Sequence, residues 1–449
     1  MLDKLFNPGS VCIVGASNDK IKWSNQILCN LKDAGFLGKI YPVNPKGGII
    51  EGLDVFKSVS SIPQTPEMVV IAVPAKFVAS VMEDCGQAGI TNIIIITAGF
   101  GEVGQIELAN KNKELIKKYN LKVIGENTFG TISTHNNLNV SLIKPFDKKG
   151  GVNIYVQSGT LGIVLANRLS KITTIGLNDL VSMGNMSGIN FSDLITYANN
   201  DNNCDVILLY IEDVKDGKAF IEAARNCNKP MVALKGGRSS SGAQAAASHT
   251  GALAGSDQVY QAAFKQAGVH LVDTIEELFM AAETLTRCKL PRGNRVGVLS
   301  PGGGANILCV DQLEKYGFIV PELEEVVQEN IKRHLPMHAP QPRNPVDTAA
   351  SFGFGDYQSI LYHMTISKEI DLLITNYVMT DGFLNDWKKG VIPKSYYTDS
   401  RIPIIGSWMG EKGCVKRDFE KLIPIFNEPS KAAWCASLLV QQKKFMEKK

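Results

Sequence analysis

The chain has 449 residues, of which 44% are apolar and 20% charged, and its net charge is +3. At roughly 150 residues per domain this predicts about three domains. The balanced charge argues against wholesale nucleic-acid binding or an acidic-membrane surface, and no apolar run reaches the roughly 18 residues of a membrane span. The N-terminus reaches Asn7-Pro8-Gly9 before any apolar stretch develops, unlike a secretory leader. The nine cysteines are scattered, with no Cys-x-x-Cys pair, which fits a reducing cytoplasm and excludes a zinc ribbon. Glycine is the one skewed number, 41 residues.

In chain order, a short β-branched run, a glycine or proline and then an amphipathic stretch recur. The runs are Val11–Val14, Met68–Val73, Asn92–Ile96, Val152–Val156, Val206–Tyr210, Val232–Leu234, Val296–Leu299 and Leu372–Thr375. Continuous apolar runs of this length suit strands buried on both faces, and their alternation with helical spacing predicts doubly wound parallel sheets. Polar joints at Lys144–Gly151 and Cys288–Asn294 divide the chain into three expected α/β domains, 1–145, 150–288 and 293–449.

In the first segment, Val14-Gly15-Ala16-Ser17 ends the opening strand, a turn type that favours an anion through backbone N–H groups. The complete G-x-G-x-x-G pattern is absent. Tyr41-Pro42-Val43-Asn44-Pro45-Lys46 puts a cation where a dinucleotide fold carries its acidic ribose ligand. Lys46 therefore suits an extra phosphate, which NADP and coenzyme A both carry. Val73-Pro74 and Thr97-Ala98-Gly99 fall at further strand ends, where small residues leave room for a thin pantetheine arm more readily than for a flat nicotinamide.

In the second segment, 16 of the 22 residues from Gly236 to Asp257 are Gly, Ala or Ser, a composition with little to anchor it by burial. His249 stands in this stretch between small neighbours. Glu212 follows the strand run Val206–Ile211, where a carboxylate can accept an imidazole N–H and leave the other ring nitrogen nucleophilic. Ser158-Gly159-Thr160 opens a strand–turn–helix anion site, and Thr250-Gly251 is a second candidate. Together these describe phosphoryl transfer through phosphohistidine. No G-x-S-x-G occurs, so a serine hydrolase is excluded. His334 and His338 share an i, i+4 spacing, but Pro336 lies between them and the pair reads as loop; no metal site is expected. His135, His270 and His363 read as structural.

On these residues the chain resembles the α subunit of the ADP-forming (NDP-forming) acyl-CoA synthetases, relatives of succinyl-CoA synthetase, over nearly its whole length. The first-segment motifs resemble the family's CoA-binding domain. Ser158–Gly162, Gly184 with Asn190-Phe191-Ser192-Asp193, and Ser248-His249-Thr250-Gly251-Ala252 resemble its ligase domain. Gly302-Gly303-Gly304 and Asn344-Pro345-Val346-Asp347 resemble the additional domain of acetyl-CoA-type members. The resemblance implies a Rossmann-like CoA-binding domain followed by two flavodoxin-like ligase domains. It also implies phosphorylation of His249 and the equilibrium acyl-CoA + phosphate + ADP ⇌ acid + CoA + ATP. There is no Walker A motif. The resemblance puts ADP/ATP and Mg²⁺ on an ATP-grasp β subunit, in an α2β2 assembly. Gly125-Glu126-Asn127-Thr128-Phe129-Gly130 departs from the family's usual Gly-Pro-Asn-Cys turn, and Ile163 stands where succinyl-type members carry a tyrosine, which leaves the acyl group open. Two alternatives share the scaffold: an acyl or carbamoyl transferase that needs no nucleotide, and a non-catalytic CoA sensor.

Overall fold

Strands made only of Val, Ile, Leu and Met have no polar face, so they are stable only when helices cover both sides of the sheet. Each such side chain contributes roughly 1.5–3 kcal/mol on full burial. A computed structural model, describing all residues except 1, 147, 243, 245–255, 350–353, 379–394 and 411–413, shows this arrangement three times. The chain divides into two compact units, Met1–Leu278 and Phe279–Lys449.

In the first unit, β1 (Ser10–Val14), β2 (Lys39–Val43), β5 (Met68–Ile71), β6 (Asn92–Ile95) and β7 (Lys122–Gly125) form a parallel sheet in the order β2-β1-β5-β6-β7. A small hairpin of β3 (Ile49–Ile50) and β4 (Leu53–Asp54) lies outside it. Every residue of β1, β5 and β6 is buried. The second sheet contains β8 (Gly130–Ser133), β9 (Leu138–Ser141), β10 (Lys149–Val156), β11 (Leu177–Ser182), β12 (Val206–Ile211), β13 (Met231–Lys235) and β14 (Val269–Val272), ordered β14-β13-β12-β10-β11-β8-β9. Its five parallel strands repeat the 2-1-3-4-5 order of the first sheet, a doubly wound order whose ligand crevice lies at the carboxyl ends of the strands.

The antiparallel β8–β9 hairpin extends this second sheet through β11, with Asp179 opposite Ser133. The sheets therefore change over between Gly125 and Gly130, ahead of the joint expected at 144–151. The polar composition of that joint marks the entry to β10 instead. The first two sheets also share one core, which runs from Ile13, Ile94 and Ile124 through Leu138 to Tyr155, Val181 and Ile207. Phe6 stacks on Tyr197 at 4.2 Å, and Asn30 Nδ2 donates to the Ser141 carbonyl at 2.8 Å. These contacts hold the two sheets in a fixed relation, and the site depends on that.

The second unit repeats the order with β15 (Val296–Ser300), β16 (Val346–Asp347), β17 (Leu372–Val378), β18 (Ile404–Met409) and β19 (Ile425–Phe426), as β16-β15-β17-β18-β19. Asn344 of the Asn-Pro-Val-Asp motif ties the strand ends together. Its side chain accepts the Val298 N–H at 3.0 Å and donates to the carbonyls of Val296 and Pro321. Gly302 precedes the helix Gly303–Lys315. No described helix is long and apolar enough to cross a membrane.

Candidate active site

The loops that follow β6 and β7 meet those that follow β10, β11 and β12 around a cavity of about 450 Å³. The first sheet contributes Glu102, Glu126 and Asn127; the second contributes Gln157, Gly184–Ser187, Glu212, Asp213 and Lys215. The carboxyl ends of two doubly wound sheets thus share one crevice, with Ile106 and Lys113 of the helix Ile106–Tyr119 along its side.

Gly184 permits this approach. Its φ is +56°, and a Cβ there would lie 1.9 Å from the Glu126 carbonyl oxygen. The space is filled by backbone hydrogen bonds between the loops: Asn185 N–H to Glu126 O at 2.8 Å and Ser187 N–H to Gly125 O at 2.9 Å. Phe129 of the same turn packs against Gly159 and Gly162, so the 125–130 segment also touches the helix Gly159–Ser170.

Glu212 is positioned from beneath. Gln157 Oε1 accepts both the Glu212 N–H and the Asp213 N–H, the latter at 2.9 Å. Lys235, 8% exposed at the end of β13, donates to the Glu212 carbonyl at 3.0 Å and lies 4.5 Å from the centre of the Tyr260 ring. Burial pushes its ammonium below the ordinary lysine value, and Asp213, Asp257 and Glu212 oppose that shift. The Tyr210 hydroxyl is pushed up to about 12 by burial and by the Glu212 carboxylate next to it. Asp213 pairs with Lys215 at 3.5 Å.

The opposite wall is built on two carboxyl groups. Glu102 accepts the Gly99 N–H at 2.6 Å, the Phe100 N–H at 3.2 Å and Asn185 Nδ2 at 2.7 Å. Burial alone would raise its pKa, but these donors outweigh burial and hold it below the ordinary range. Glu126 is 1% exposed; it accepts from Asn112 Nδ2, and Ser187 Oγ lies 3.4 Å from its Oε2. Burial pushes its carboxyl up. The Asn112 amide pulls it back, and the Glu102 charge adds to the rise.

Of the residues singled out in the sequence, Glu212 lies in the cavity, with Ser158, Gly159 and Thr160 following Gln157 directly. Ser158 caps the helix Gly159–Ser170, accepting the Leu161 N–H at 3.4 Å. His249, Thr250 and Gly251 lie outside the described residues. Arg238 and Asp257, which flank that stretch, pair at 2.8 Å, so the segment carrying His249 begins and ends at one ion pair.

Val73, Thr97 and Ala98 meet in a second cavity of about 470 Å³, together with Ile21, Lys22 and Trp23. Thr97 Oγ1 donates to the Val73 carbonyl at 2.7 Å. Gly99 has a φ of +106° and Pro74 caps the helix Ala75–Gln87. The opening turn differs from its expected role. Gly15 and Ala16 both donate their N–H groups to the Val43 carbonyl, at 2.9 and 3.2 Å, and the next helix starts only at Trp23. Those two amides are committed to holding β1 beside β2 instead of facing an anion. Ser17 Oγ accepts the Asp19 N–H at 3.1 Å, and Lys46 is exposed and does not line the cavity. The cation that does line it is Lys22.

Sequence reasoning missed Lys22, Trp23, Gln157, Glu102, Glu126 and Asn185. In the structure the Trp23 indole is 51% exposed at a helix start. The described residues hold no group of three or more His, Cys, Asp or Glu side chains placed to bind a metal.

Comparison with known proteins agrees with this geometry. Residues 9–134 match a CoA-binding domain model, and residues 149–285 match the succinyl-CoA ligase-like flavodoxin domain. The chain is 38% identical to the α subunit of ADP-forming acetate–CoA ligase II of Pyrococcus furiosus, over 99% of this chain and 98% of that one. It is 37% identical to the α subunit of isoenzyme I from the same organism, over 100% and 99%. The acetyl-coenzyme A synthetase 1 of Ca. Korarchaeum cryptofilum, solved with phosphate and ADP, superimposes with a TM-score of 0.91 at 31% identity, covering 100% of this chain and 98% of that one.

Proposed function

Because the chain belongs to the α subunits of the ADP-forming acyl-CoA synthetases, we propose that its two cavities divide the reaction acyl-CoA + phosphate + ADP ⇌ acid + CoA + ATP, with His249 carrying the phosphoryl group between half-reactions. The chain is an acid–thiol ligase subunit that uses CoA and nucleotide. The observation that carries the division of labour is the loop 96–102. Its first residues line the cavity with Lys22 and Trp23, and its last residues line the cavity with Glu212. A CoA arm lying along Val73, Thr97 and Ala98 therefore delivers its sulfur toward Glu212.

The residues of the second cavity fit CoA. Small side chains leave room for a thin arm, Trp23 offers an aromatic face, and Lys22 supplies a cation for a phosphate. In the shared crevice a phosphate oxygen attacks the thioester carbonyl. The C–S bond breaks, and the thiolate leaves with a proton as CoA. The His249 imidazole nitrogen then attacks phosphorus, the P–O bond to the acyl group breaks, and the carboxylate departs. Backbone N–H groups at Ser158-Gly159-Thr160 and at Thr250-Gly251 hold the charged oxygens, and Glu212 stabilises the imidazolium. An oxygen of ADP finally takes the phosphoryl group as the P–N bond breaks.

We place the nucleotide and Mg²⁺ on an ATP-grasp β subunit, in an α2β2 assembly. The test is ATP formation from acetyl-CoA, phosphate and ADP by the chain with that partner. Thioester turnover without nucleotide or partner would favour a transferase, and CoA binding without turnover a sensor; either would refute the reading.

A further inference from the structure

The shared crevice brings together two carboxyl groups in different settings. Glu102, in the loop after β6, accepts the N–H groups of Gly99 and Phe100 and the Asn185 amide, a donor set that suits a carboxylate. Glu126, the residue after β7, is 1% exposed and accepts the Asn112 amide on Oε1. A proton on this carboxyl therefore resides on Oε2. The contact of Oε2 with Ser187 Oγ, 3.4 Å, is longer than an ordinary hydroxyl hydrogen bond, so it does not engage that proton. Glu102, Glu126, Asn185 and Ser187 all line the crevice.

Glu126 also stands beside the path assigned to CoA. The Asn127 N–H donates to the Thr97 carbonyl at 2.9 Å. Thr97 lines the cavity with Lys22 and Trp23, whereas Glu126 and Asn127 line the crevice with Glu212. An arm running past Thr97 and Ala98 therefore brings its sulfur toward Glu126. The other charged groups on the crevice walls are Lys113, on the helix Ile106–Tyr119, and Glu212, Asp213 and Lys215 after β12, with Asp213 matched by Lys215 at 3.5 Å.

Resting on the reaction proposed above, we infer that Glu126 is a catalytic residue of the thioester half-reaction: its carboxylic acid gives a proton to the CoA sulfur as the C–S bond breaks, and the proton shed by the attacking phosphate restores the acid. The half-reaction stays balanced, because the hydrogen that leaves phosphate is the one that CoA finally gains. A thiol holds its proton up to about pH 8.5, so a donor matched to it must itself stay protonated near neutrality. An ordinary carboxyl does not. Burial pushes the Glu126 carboxyl up, and the Glu102 charge adds to the rise, while Asn112, Asn185 and Ser187 oppose it. Settings that drive two neighbouring carboxyl groups apart assign one as the acid and the other as a fixed charge.

The test uses the full chain with its β subunit. ATP formation from acetyl-CoA, phosphate and ADP is followed from about pH 6 to about pH 9 for wild type, Glu126→Gln and Glu126→Asp, and calorimetry measures CoA binding to each. Wild-type kcat should fall on the alkaline side, where the acid form is lost. Glu126→Gln keeps the shape but carries no acidic proton. It should lower kcat about 100-fold, leave CoA affinity within about threefold and abolish the alkaline fall. Glu126→Asp should show an intermediate kcat with the alkaline fall retained. A Glu126→Gln enzyme with wild-type kcat, or one slowed equally at every pH with the fall intact, overturns the inference. Should Glu126→Gln lose CoA binding, the aspartate variant decides, and its losing the alkaline fall overturns the inference. Absence of ATP formation by wild type refutes the ligase reading and this inference with it, whereas wild-type turnover with an unaltered Glu126→Gln refutes this inference alone.

Discussion

The Gln157 side-chain oxygen accepts the N–H groups of Glu212 and Asp213. Substituting leucine keeps the bulk and removes the acceptor. Two half-buried amides then lose their partner, at about 1 kcal/mol each for the lost bonds and somewhat more where water cannot replace the oxygen. The 212–215 loop is thereby released by about 2–3 kcal/mol. Lys235 still holds the Glu212 carbonyl, so the loop shifts without unfolding. A carboxylate misplaced by about 1 Å costs on the order of a hundredfold in rate. The expected outcome for Gln157→Leu is a kcat for ATP formation lowered 10- to 100-fold, with the apparent affinity for CoA unchanged because the cavity proposed to hold CoA is built from other loops. Gln157→Glu retains the acceptor and should fall between the two. The assay is coupled ATP production from acetyl-CoA, phosphate and ADP in the presence of the β subunit. A Gln157→Leu enzyme with wild-type kcat, or with KM for acetyl-CoA alone affected, would refute the reasoning.

Two further expectations follow from single side chains. Trp23→Ala removes the exposed indole beside Lys22 and should weaken CoA binding about tenfold, measured by calorimetry; unaltered affinity would remove Trp23 from the site. Asp179 is buried between β10 and β8, and burial pushes its carboxyl up to about 8. Its folded pKa lies above the unfolded value of about 3.9. Its contribution to stability is therefore complete below pH 4 and is lost as pH rises toward 8, by up to about 1.4 kcal/mol per pH unit. Asp179→Asn should flatten urea-denaturation stability between pH 5 and pH 8, and a slope equal to that of wild type would contradict the assignment.

The eight apolar runs read from the sequence are all strands, because burial on both faces leaves mostly β-branched and other apolar residues in them. Some strands outside those runs have polar interiors. β11 carries Asn178 and Asp179, both buried against Asn153, and β18 carries Gly406 and Ser407. Composition therefore broke the pattern where side-chain hydrogen bonds took over from apolar packing. The β8–β9 hairpin was hidden for a related reason. Thr131, Ser133, Asn139 and Ser141 are buried polar residues, and Ser141 bonds to Asn139 at 2.7 Å.

In the site, Glu212 was legible because it follows a strand end directly, and the Ser158 turn because it starts a helix. The facing wall was not legible. Asn185 meets Glu102 across 83 positions of chain, and only the approach of two sheets brings them together. Its one visible trace was the Gly125–Gly130 departure, which marked the turn without revealing that Glu126 faces a cavity. The opening glycine turn was legible as a turn, but Val43 takes the amides expected to face an anion.

The central claim is that His249 becomes phosphorylated as the step between thioester and nucleotide. Incubating the chain with acetyl-CoA and labelled phosphate alone should produce an acid-labile, alkali-stable phosphoprotein, with the label mapped by mass spectrometry to His249 and discharged to ATP when ADP and the β subunit are added. Label that persists undiminished in His249→Ala, or a wild-type chain that turns over thioester without ever carrying it, would contradict the account.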